Sequence, residues 1–294
     1  MKRAALIPLS IALALFVSFG LPAFTADAQK PASPPVAAAA STARLANIST
    51  RLPVGTGNNV LIAGFTVTGS QPKKIIVRGL GPLLPVNANL ADPTLELHDS
   101  ASTLAANDNW RDTQEQELKA TTIPPKSDYD SAIVRSPTPG AYTAVLAGKG
   151  ATTGVGLVEV YDLDIAADSK LANVSTRGRV DQGDDVLICG TIVVGSGSTS
   201  VIFRALGPSL LQFGVSNALL DPILELHDGQ GATIATNDDW QDTQKDAIQA
   251  TSIAPSDLKE AAILRDLTPG AYTAVVKGKN NTTGVAVVDA YQLN

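Results

Sequence analysis

Short apolar and β-branched runs, separated by Gly, Pro, Asn and Asp, make up most of the chain after residue 43. In one run, Leu95 and Leu97 alternate with Glu96 and His98, and this period of two turns one face of a strand inward. Many short strands separated by turn residues predict an all-β fold, an antiparallel β-sandwich of the Greek-key or jelly-roll type. Within residues 44–164 the pattern predicts about eight strands, near 46–51, 59–68, 74–78, 95–98, 103–106, 132–135, 142–146 and 155–161.

One short segment departs from the strand pattern. Residues 113–120 are rich in Gln and Glu, which are good helix formers, and they predict a helix. Asp112 comes just before this segment, so we expect its carboxylate to cap the N-terminus of the helix.

The chain contains one unit of about 120 residues twice. The segment Leu45–Arg51 (LANISTR) recurs as Leu171–Arg177 (LANVSTR), and Asn107–Trp110 (NDNW) recurs as Asn237–Trp240 (NDDW). Such a long period is unlike that of a solenoid, so we expect each copy to have a core of its own. The predicted domains are two tandem β-sandwich copies at residues 44–164 and 170–294.

The N-terminal segment has the features of an export signal. Lys2 and Arg3 precede a long apolar stretch, and Ala26-Asp27-Ala28 satisfies the small-x-small rule of signal peptidase. We expect cleavage after Ala28, although the apolar stretch is also long enough to serve as a retained membrane anchor. The predicted N-terminal segments are a signal peptide at 1–28 and a Pro/Ala-rich linker at 29–43.

Composition and charge exclude several classes of function. The net charge of −6 and the pI near 4.9 argue against a nucleic acid bound through a basic face. Two His and one Cys are too few for an ordinary zinc or iron–sulfur site. Cys189 lies in an apolar run, so we expect a small core residue rather than a reactive thiol.

A family resemblance rests on three motifs that both copies share. They are Asp-Pro-x-Leu-x-Leu-x-Asp at 92–99, Asn-Asp-x-Trp at 107–110 and Pro-Gly-x-Tyr-Thr at 139–143. In this order they resemble the bacterial pre-peptidase C-terminal-like β-sandwiches and a tandem module of exported bacterial proteins. The resemblance implies a β-sandwich and an accessory role in secretion, surface attachment or substrate contact.

The acidic turns that precede the two tryptophans are the candidate metal sites. Carboxylate and amide oxygens at alternating positions suit Ca²⁺, which is the one cofactor that the sequence suggests. The turns lack the Gly at position six and the Glu at position twelve of an EF-hand, and Asn and Asp also build turns through local hydrogen bonds. The candidate ligands are Asn107, Asp108, Asn109, Asp112, Asn237, Asp238, Asp239 and Asp242.

The remaining candidates for chemistry have structural interpretations. We expect Trp110 and Trp240 to fill the core, with sugar stacking by an exposed ring as the alternative. His98 and His227 are expected on the solvent-facing side of their strands, hydrogen-bonded at an edge rather than in a catalytic triad.

Two further groups are candidates for catalysis or anion binding. Glu96 with Asp99 or Asp92, and in the second copy Glu225 with Asp228 or Asp221, resemble a glycosidase carboxylate pair, but few aromatic residues are present to line a cleft. The Gly-rich segments after Arg78 and Arg204 lack the helix and Lys of a phosphate loop. We expect strands that end in turns there, with the two arginines paired to Asp92 and Asp221.

These observations predict a non-enzymatic protein, secreted, periplasmic or at the cell surface. We expect a binding or scaffolding function, with an extracellular polysaccharide or a surface protein as the partner. Nucleic acid is not expected as a partner, nor is a membrane span after signal cleavage. The alternatives are a calcium-dependent carbohydrate- or matrix-binding module and a secreted hydrolase.

Overall fold

The computed structural model describes residues 42–183 and 185–293. The predicted signal peptide at 1–28 and most of the predicted linker at 29–43 lie outside the described residues. Within the described residues, no helix is long and apolar enough to span a membrane.

The described part of the chain contains sixteen strands and two short α-helices, which confirms the all-β class. The elements of the first copy are β1 (Arg44–Val54), β2 (Leu61–Thr68), β3 (Ile75–Leu80), β4 (Pro93–His98), β5 (Thr103–Asn107), α1 (Glu115–Ala120), β6 (Ser131–Arg135), β7 (Gly140–Gly148) and β8 (Gly154–Asp162). The elements of the second copy are β9 (Lys170–Val180), β10 (Leu187–Val194), β11 (Thr199–Leu206), β12 (Pro222–Asp228), β13 (Thr233–Asn237), α2 (Lys245–Ala250), β14 (Ala261–Leu267), β15 (Gly270–Gly278) and β16 (Gly284–Gln292).

The strands form two antiparallel sheets of eight. Sheet 1 has the order β13-β12-β15-β10-β1-β8-β3-β6, and sheet 2 has the order β14-β11-β16-β9-β2-β7-β4-β5. The four strands that the first copy gives to sheet 1 have the order β1-β8-β3-β6, and its strands in sheet 2 have the order β2-β7-β4-β5. This is the strand order of a jelly roll, and the second copy repeats it.

The two sheets run without a break from one copy into the other. In sheet 1, β1 pairs with β10 and Arg51 lies opposite Ile188; in sheet 2, β9 pairs with β2 and Arg177 lies opposite Ile62. The two junctions use the same register, so the copies are related by a pseudo-two-fold axis along the strands.

The copies also share one apolar core, and the expectation of a separate core for each is therefore wrong. A single cluster of buried side chains includes Ile48 and Phe65 from the first copy and Leu187 and Phe203 from the second. Cys189 is fully buried in this cluster, and burial raises the pKa of its thiol to about 12. The thiol is therefore protonated, and Cys189 is the core residue that the sequence predicts.

All of the long loops open at one end of the sandwich, which we call the loop end. β1 and β9 run in the same direction, so the loops that follow β1, β3, β5 and β7 share this end with their counterparts in the second copy. Thr42 lies at the opposite end, where its amide donates to the carbonyl of Ser196 at 3.0 Å.

Candidate functional site

Carboxylates and lysines from three separate loops meet at the loop end of the second copy. The β11–β12 loop supplies Asp221, and the β13–β14 loop supplies Asp238, Asp239 and Lys259. Oxygen atoms of the three carboxylates lie within 4.8 Å of one another. Lys279, from the β15–β16 turn, places its Nζ 2.5 Å from Asp238 Oδ2, and Lys259 Nζ lies 2.7 Å from Asp221 Oδ2.

The electrostatics of this acidic cluster favour a cation. One oxygen of each of Asp221, Asp238 and Asp239 is buried and has no hydrogen-bond partner among the described residues. Burial raises the pKa of Asp239, and the carboxylate of Asp238 raises it further. The hydrogen bond to Asp238 raises the pKa of Lys279, so this ammonium neutralises part of the cluster.

The first copy has a weaker version of the same cluster. Lys149 Nζ lies 2.6 Å from Asp108 Oδ2 and 3.7 Å from Asp92 Oδ2. Asn109 stands where the second copy has Asp239, so this copy has one carboxylate fewer. The second copy is therefore the better candidate for a divalent cation.

The structure places two of the sequence-predicted ligands in a different role. Asn237 Oδ1 accepts from the amide of Ala262 at 2.8 Å, and Asn107 Oδ1 accepts from the amide of Ala132 at 2.9 Å. Both amides lie on the outer edge of a sheet, on β14 and β6. Asn107 and Asn237 thus take the place of a neighbouring strand and protect the edge.

Gln114 and Gln244 continue this edge protection. The side chain of Gln114 accepts from the Val134 amide and donates to the Val134 carbonyl, each at 3.0 Å, and Gln244 makes the same pair with Leu264. The capping prediction for Asp112 is wrong, because the helix is preceded by Gln114 and has no side-chain cap.

Two other candidate ligands, Asp112 and Asp242, are exposed and lie outside the acidic cluster. Asp112 accepts a hydrogen bond from the side chain of Asn109 at 3.0 Å. Asp92 and Asp221, which the sequence predicts as partners of the arginines, come about 15 residues before the turns and are not among the predicted ligands. The Asp-Pro dipeptide that both copies carry at this position was the sequence signal that could have identified them.

Replacing Asn237 with Ala is expected to destabilise the fold by about 1–3 kcal/mol, because the buried amide of Ala262 loses its acceptor. Asp242→Ala, in the same turn but exposed, serves as the control and is expected to change stability by less than about 0.5 kcal/mol. Urea unfolding monitored by far-UV circular dichroism measures both. Equal unfolding midpoints for the two variants would contradict the edge-protecting role.

The two tryptophans are buried, as expected, but they lie in two small clusters outside the core between the sheets. Trp110 is 2% exposed and Trp240 is 4% exposed, and the indole of Trp110 donates to the carbonyl of Ser127 at 3.0 Å. Trp110 packs on Leu118 of α1 and on Ile76, in a small cluster on the outer face of sheet 1. It therefore attaches the loop to the sheet, and the alternative of an exposed sugar-stacking ring is wrong.

The histidines lie on the outer faces of two hairpins, as the alternation predicts. His98 Nε2 lies 2.8 Å from Glu96 Oε2, and its Nδ1 lies 3.1 Å from Thr103 Oγ1. His227 makes the same contacts with Glu225 and Thr233, each at 3.2 Å. These contacts are the hydrogen bonds expected for the two histidines, and they pair Glu96 and Glu225 with imidazole rings.

The arginine pairing expected from the sequence is wrong. Arg204 holds Asp289 through two hydrogen bonds of 2.9 and 2.7 Å, and Arg78 pairs with Glu159. Each acid lies on the neighbouring strand of the sheet, directly opposite its arginine. Asp221 therefore does not pair with Arg204 and lies in the acidic cluster with Asp238 and Asp239.

The Gly-rich segments bind anions that belong to the chain itself. The amide of Gly81 donates to Asp130 Oδ1 at 3.0 Å, and the amide of Gly207 donates to Glu260 Oε1 at 3.0 Å. A Cβ on Gly81 would lie 2.0 Å from the carbonyl oxygen of Leu90, so only glycine fits there. These contacts hold the β3–β4 and β11–β12 loops in place.

Large apolar side chains are exposed on the loops of both copies at the loop end. The most exposed is Phe213, at 66%. Large apolar side chains exposed at one end of a fold are candidates for a contact surface where they form a patch. The exposed set in these loops is Leu83, Tyr129, Leu211, Phe213, Leu220 and Leu258.

Comparison with known proteins finds likenesses only among solved structures. No family model matches the chain, and no curated protein matches it. Among solved structures, it is similar to the M60 catalytic domain with the CBM51-1 and CBM51-2 domains of Clostridium perfringens ZmpB, at 6% identity and a TM-score of 0.20. It is also similar to a DUF4785 family protein from Legionella pneumophila (11%, TM-score 0.24) and to Sulfolobus turreted icosahedral virus (10%, TM-score 0.22).

The extent of these likenesses differs. The clostridial match covers 77% of this chain and 33% of that one, the Legionella match covers 86% and 81%, and the viral match covers 85% and 89%. TM-scores of this size support no inference about function, and membership of the pre-peptidase C-terminal-like family is not shown.

Proposed function

We propose that the chain is an exported, non-enzymatic binding or scaffolding protein that contacts its target through the loop end. One observation carries this proposal: both copies direct their long loops to the same end of one continuous sandwich. Two loop surfaces held side by side on one body engage a single target together, and this raises avidity without any new kind of contact.

The proposed location follows from the N-terminal segment. A signal peptide at 1–28, with Lys2, Arg3 and the Ala26-Asp27-Ala28 site, directs the chain to the periplasm, the cell surface or the medium. The target is then an extracellular polysaccharide or a surface protein.

The test of this proposal replaces exposed loop side chains one copy at a time. Leu83→Ser with Tyr129→Ser changes the first copy, and Phe213→Ser with Leu258→Ser changes the second. On arrays of bacterial polysaccharides and purified surface proteins, each pair is expected to weaken binding, and all four changes together are expected to abolish it. Unchanged binding by the fourfold variant, or release of hydrolysis products from a bound polymer, would overturn the proposal.

A calcium-dependent binding module is the second candidate function. The observation in its favour is the convergence of three partly unpartnered carboxylates, Asp221, Asp238 and Asp239, in the second copy. Ca²⁺ takes six to eight oxygen ligands, and carboxylates are its usual protein ligands. Lys279 competes for the same oxygens, so the proposal expects this ammonium to move aside when calcium binds.

Calcium binding is expected to raise the melting temperature of the purified chain by several degrees in millimolar Ca²⁺ relative to EDTA, because only the folded state has the site. Asp239→Ala is expected to remove the shift, whereas Asp108→Ala in the first copy is the matched control and is expected to keep it. Differential scanning calorimetry measures the shift. Equal melting temperatures in Ca²⁺ and EDTA would leave these turns without a metal role.

A further inference from the structure

The outer face of sheet 2 carries a polar row that no single copy contains. Strands β4, β7, β2 and β9 are neighbours, and His98, Thr143, Gly64 and Ser175 lie opposite one another along them. The first three residues belong to the first copy, and Ser175 belongs to the second. The row crosses three strand spacings, or about 14 Å.

The outer face of sheet 1 repeats this row with the copies exchanged. Strands β12, β15, β10 and β1 place His227, Thr273, Gly190 and Ser49 opposite one another. The pseudo-two-fold axis thus creates two related faces, and each face needs both copies. On sheet 1 the side chain of Ser49 leans over Gly190, where a Cβ would lie 2.5 Å from Ser49 Oγ.

Gly64 opens the row on sheet 2. A Cβ at Gly64 would meet only the carbonyl oxygens of Ser175 and Tyr142, at 3.5 and 3.9 Å, so the space above the strand is free. The hydroxyls of Thr143 and Ser175 flank this space. The result is a shallow polar trough across the strands.

An arginine stands beside the row on each face. Arg177 lies two residues after Ser175, opposite Ile62, and Arg51 lies two residues after Ser49, opposite Ile188. Neither guanidinium has an ion pair or a hydrogen bond with any of the described residues. Among the residues that the structure describes, positive charge is therefore left uncompensated at the same place on both faces.

The acids close to the two rows are already engaged. Glu96 contacts His98, and Glu225 contacts both His227 and Lys277, at 3.2 and 2.9 Å. Glu159 lies opposite Ser49 and Asp289 lies opposite Ser175, and these two acids pair with Arg78 and Arg204. An anionic partner therefore fits the charge of these faces. A guanidinium holds a carboxylate through two parallel hydrogen bonds, and the row of hydroxyls suits the hydroxyls of a sugar chain.

A peptide strand is the less suitable occupant. Extended peptides usually add to a free sheet edge. Asn107 with Gln114 covers the edge at β6, and Asn237 with Gln244 covers the edge at β14. At the other two edges, Arg135 donates to the carbonyl of Leu104 on β5, and Arg265 donates to the carbonyl of Ile234 on β13. The open faces, rather than these edges, are the available surface.

We propose that each outer face binds one chain of a carboxylate-bearing polysaccharide, with Arg177 and Arg51 holding its carboxylates. This goes beyond the loop-end proposal, because it adds two sites on other surfaces and names the chemistry of their ligand. Each site is composite, so both are lost if the copies separate.

The test is calorimetric titration of the purified chain with polygalacturonate. Two sites, one on each face, are expected. Arg51→Gln or Arg177→Gln alone is expected to remove one of them, and the double variant is expected to lose nearly all binding. Arg179→Gln is the matched control, because it lies on the same strand as Arg177 and is already paired with Asp181 at 2.9 Å. It is expected to bind within about twofold of the natural chain, as befits a residue outside the site.

Further arms separate the proposal from its competitors. Arg51→Lys with Arg177→Lys keeps the charge but loses the guanidinium fork, and is expected to weaken binding about tenfold or more. Gly64→Val fills the trough of sheet 2 alone and is expected to remove one site. Neutral dextran, dextran sulfate and monomeric galacturonate are expected to bind much more weakly than polygalacturonate.

Three results would overturn the proposal. The first is full binding by the double variant Arg51→Gln with Arg177→Gln, and the second is binding of dextran as tight as that of polygalacturonate. The third is equally tight binding of dextran sulfate together with no effect of the lysine variants. The fourfold loop-end variant distinguishes the two proposals, since it is expected to keep polygalacturonate binding. Melting temperatures of all variants confirm that each is folded.

Discussion

A single copy produced alone, as residues 42–164, is expected to form dimers or larger assemblies and to leave no folded monomer in solution. In the full chain, β1 and β2 of this copy are covered by β10 and β9 of the other. Without them, two interior strands become edges with unpaired backbone groups, and unpaired edges recruit other strands. The core is opened as well, because buried side chains of both copies form one cluster.

The expected dimer is specific. The β9 segment Leu171–Arg177 (LANVSTR) is nearly identical to Leu45–Arg51 (LANISTR) of β1, so β1 of one fragment can replace β9 against β2 of another. Arg51 would then lie opposite Ile62, as Arg177 does in the full chain. The isolated copy is thus expected to rebuild the two-fold arrangement with itself.

Size-exclusion chromatography with light scattering measures this outcome. The control is the full chain with a protease site placed in residues 164–169. After cleavage its two copies are expected to stay together, because the sheets still join them. A fragment that runs as a monomer and melts at the temperature of the full chain would show that the copies are independent after all.

Lys73→Met is expected to destabilise the chain by about 3–5 kcal/mol, because it leaves the buried carboxylate of Asp162 without its partner. Both side chains are 0% exposed, and Lys73 Nζ lies 3.1 and 3.0 Å from the two carboxylate oxygens of Asp162. The same ammonium donates to the carbonyl of Asp164 at 2.5 Å, so it also holds the start of the segment between the copies.

The double variant Lys73→Met, Asp162→Leu tests whether the pair itself is needed. It is expected to recover most of the lost stability, because apolar side chains of similar volume avoid the cost of burying charge. The second copy has Thr199 and Gln292 at the corresponding positions, so this fold does not require an ion pair there. Urea unfolding measures all three chains, and a loss below about 1 kcal/mol for Lys73→Met would contradict the buried-charge argument.

Local pattern was sufficient for the elements of the fold. The runs of β-branched and apolar residues lie on the eight strands of each copy, and the predicted helix at 113–120 contains α1 (Glu115–Ala120). The burial of Cys189, Trp110 and Trp240 was also expected correctly. These features depend on the period of the side chains along one segment, and a sequence displays that period directly.

Pairing between distant segments could not be predicted in the same way. Alternation shows that Arg78 faces outward, but it does not show that β8 lies beside β3 and brings Glu159, 81 residues later, within reach. For the same reason the sequence predicts an ion pair between Asp221 and Arg204, although Asp221 lies with Asp238 and Asp239. The strand pattern shows which face of the sheet a side chain points to, but only the register of the sheet shows which residue lies beside it.

The sequence by itself determined the duplication, the all-β class, the strand positions and the side chains that point inward, because each of these follows from local periodicity or from direct comparison of the copies. Only the tertiary structure decided that the sheets cross from one copy to the other, that Asn107 and Asn237 protect edges, and that Arg51 and Arg177 stand on matched composite faces. These features depend on strand register between segments far apart in the chain. Register is selected by the burial of the whole core, which no single segment contains.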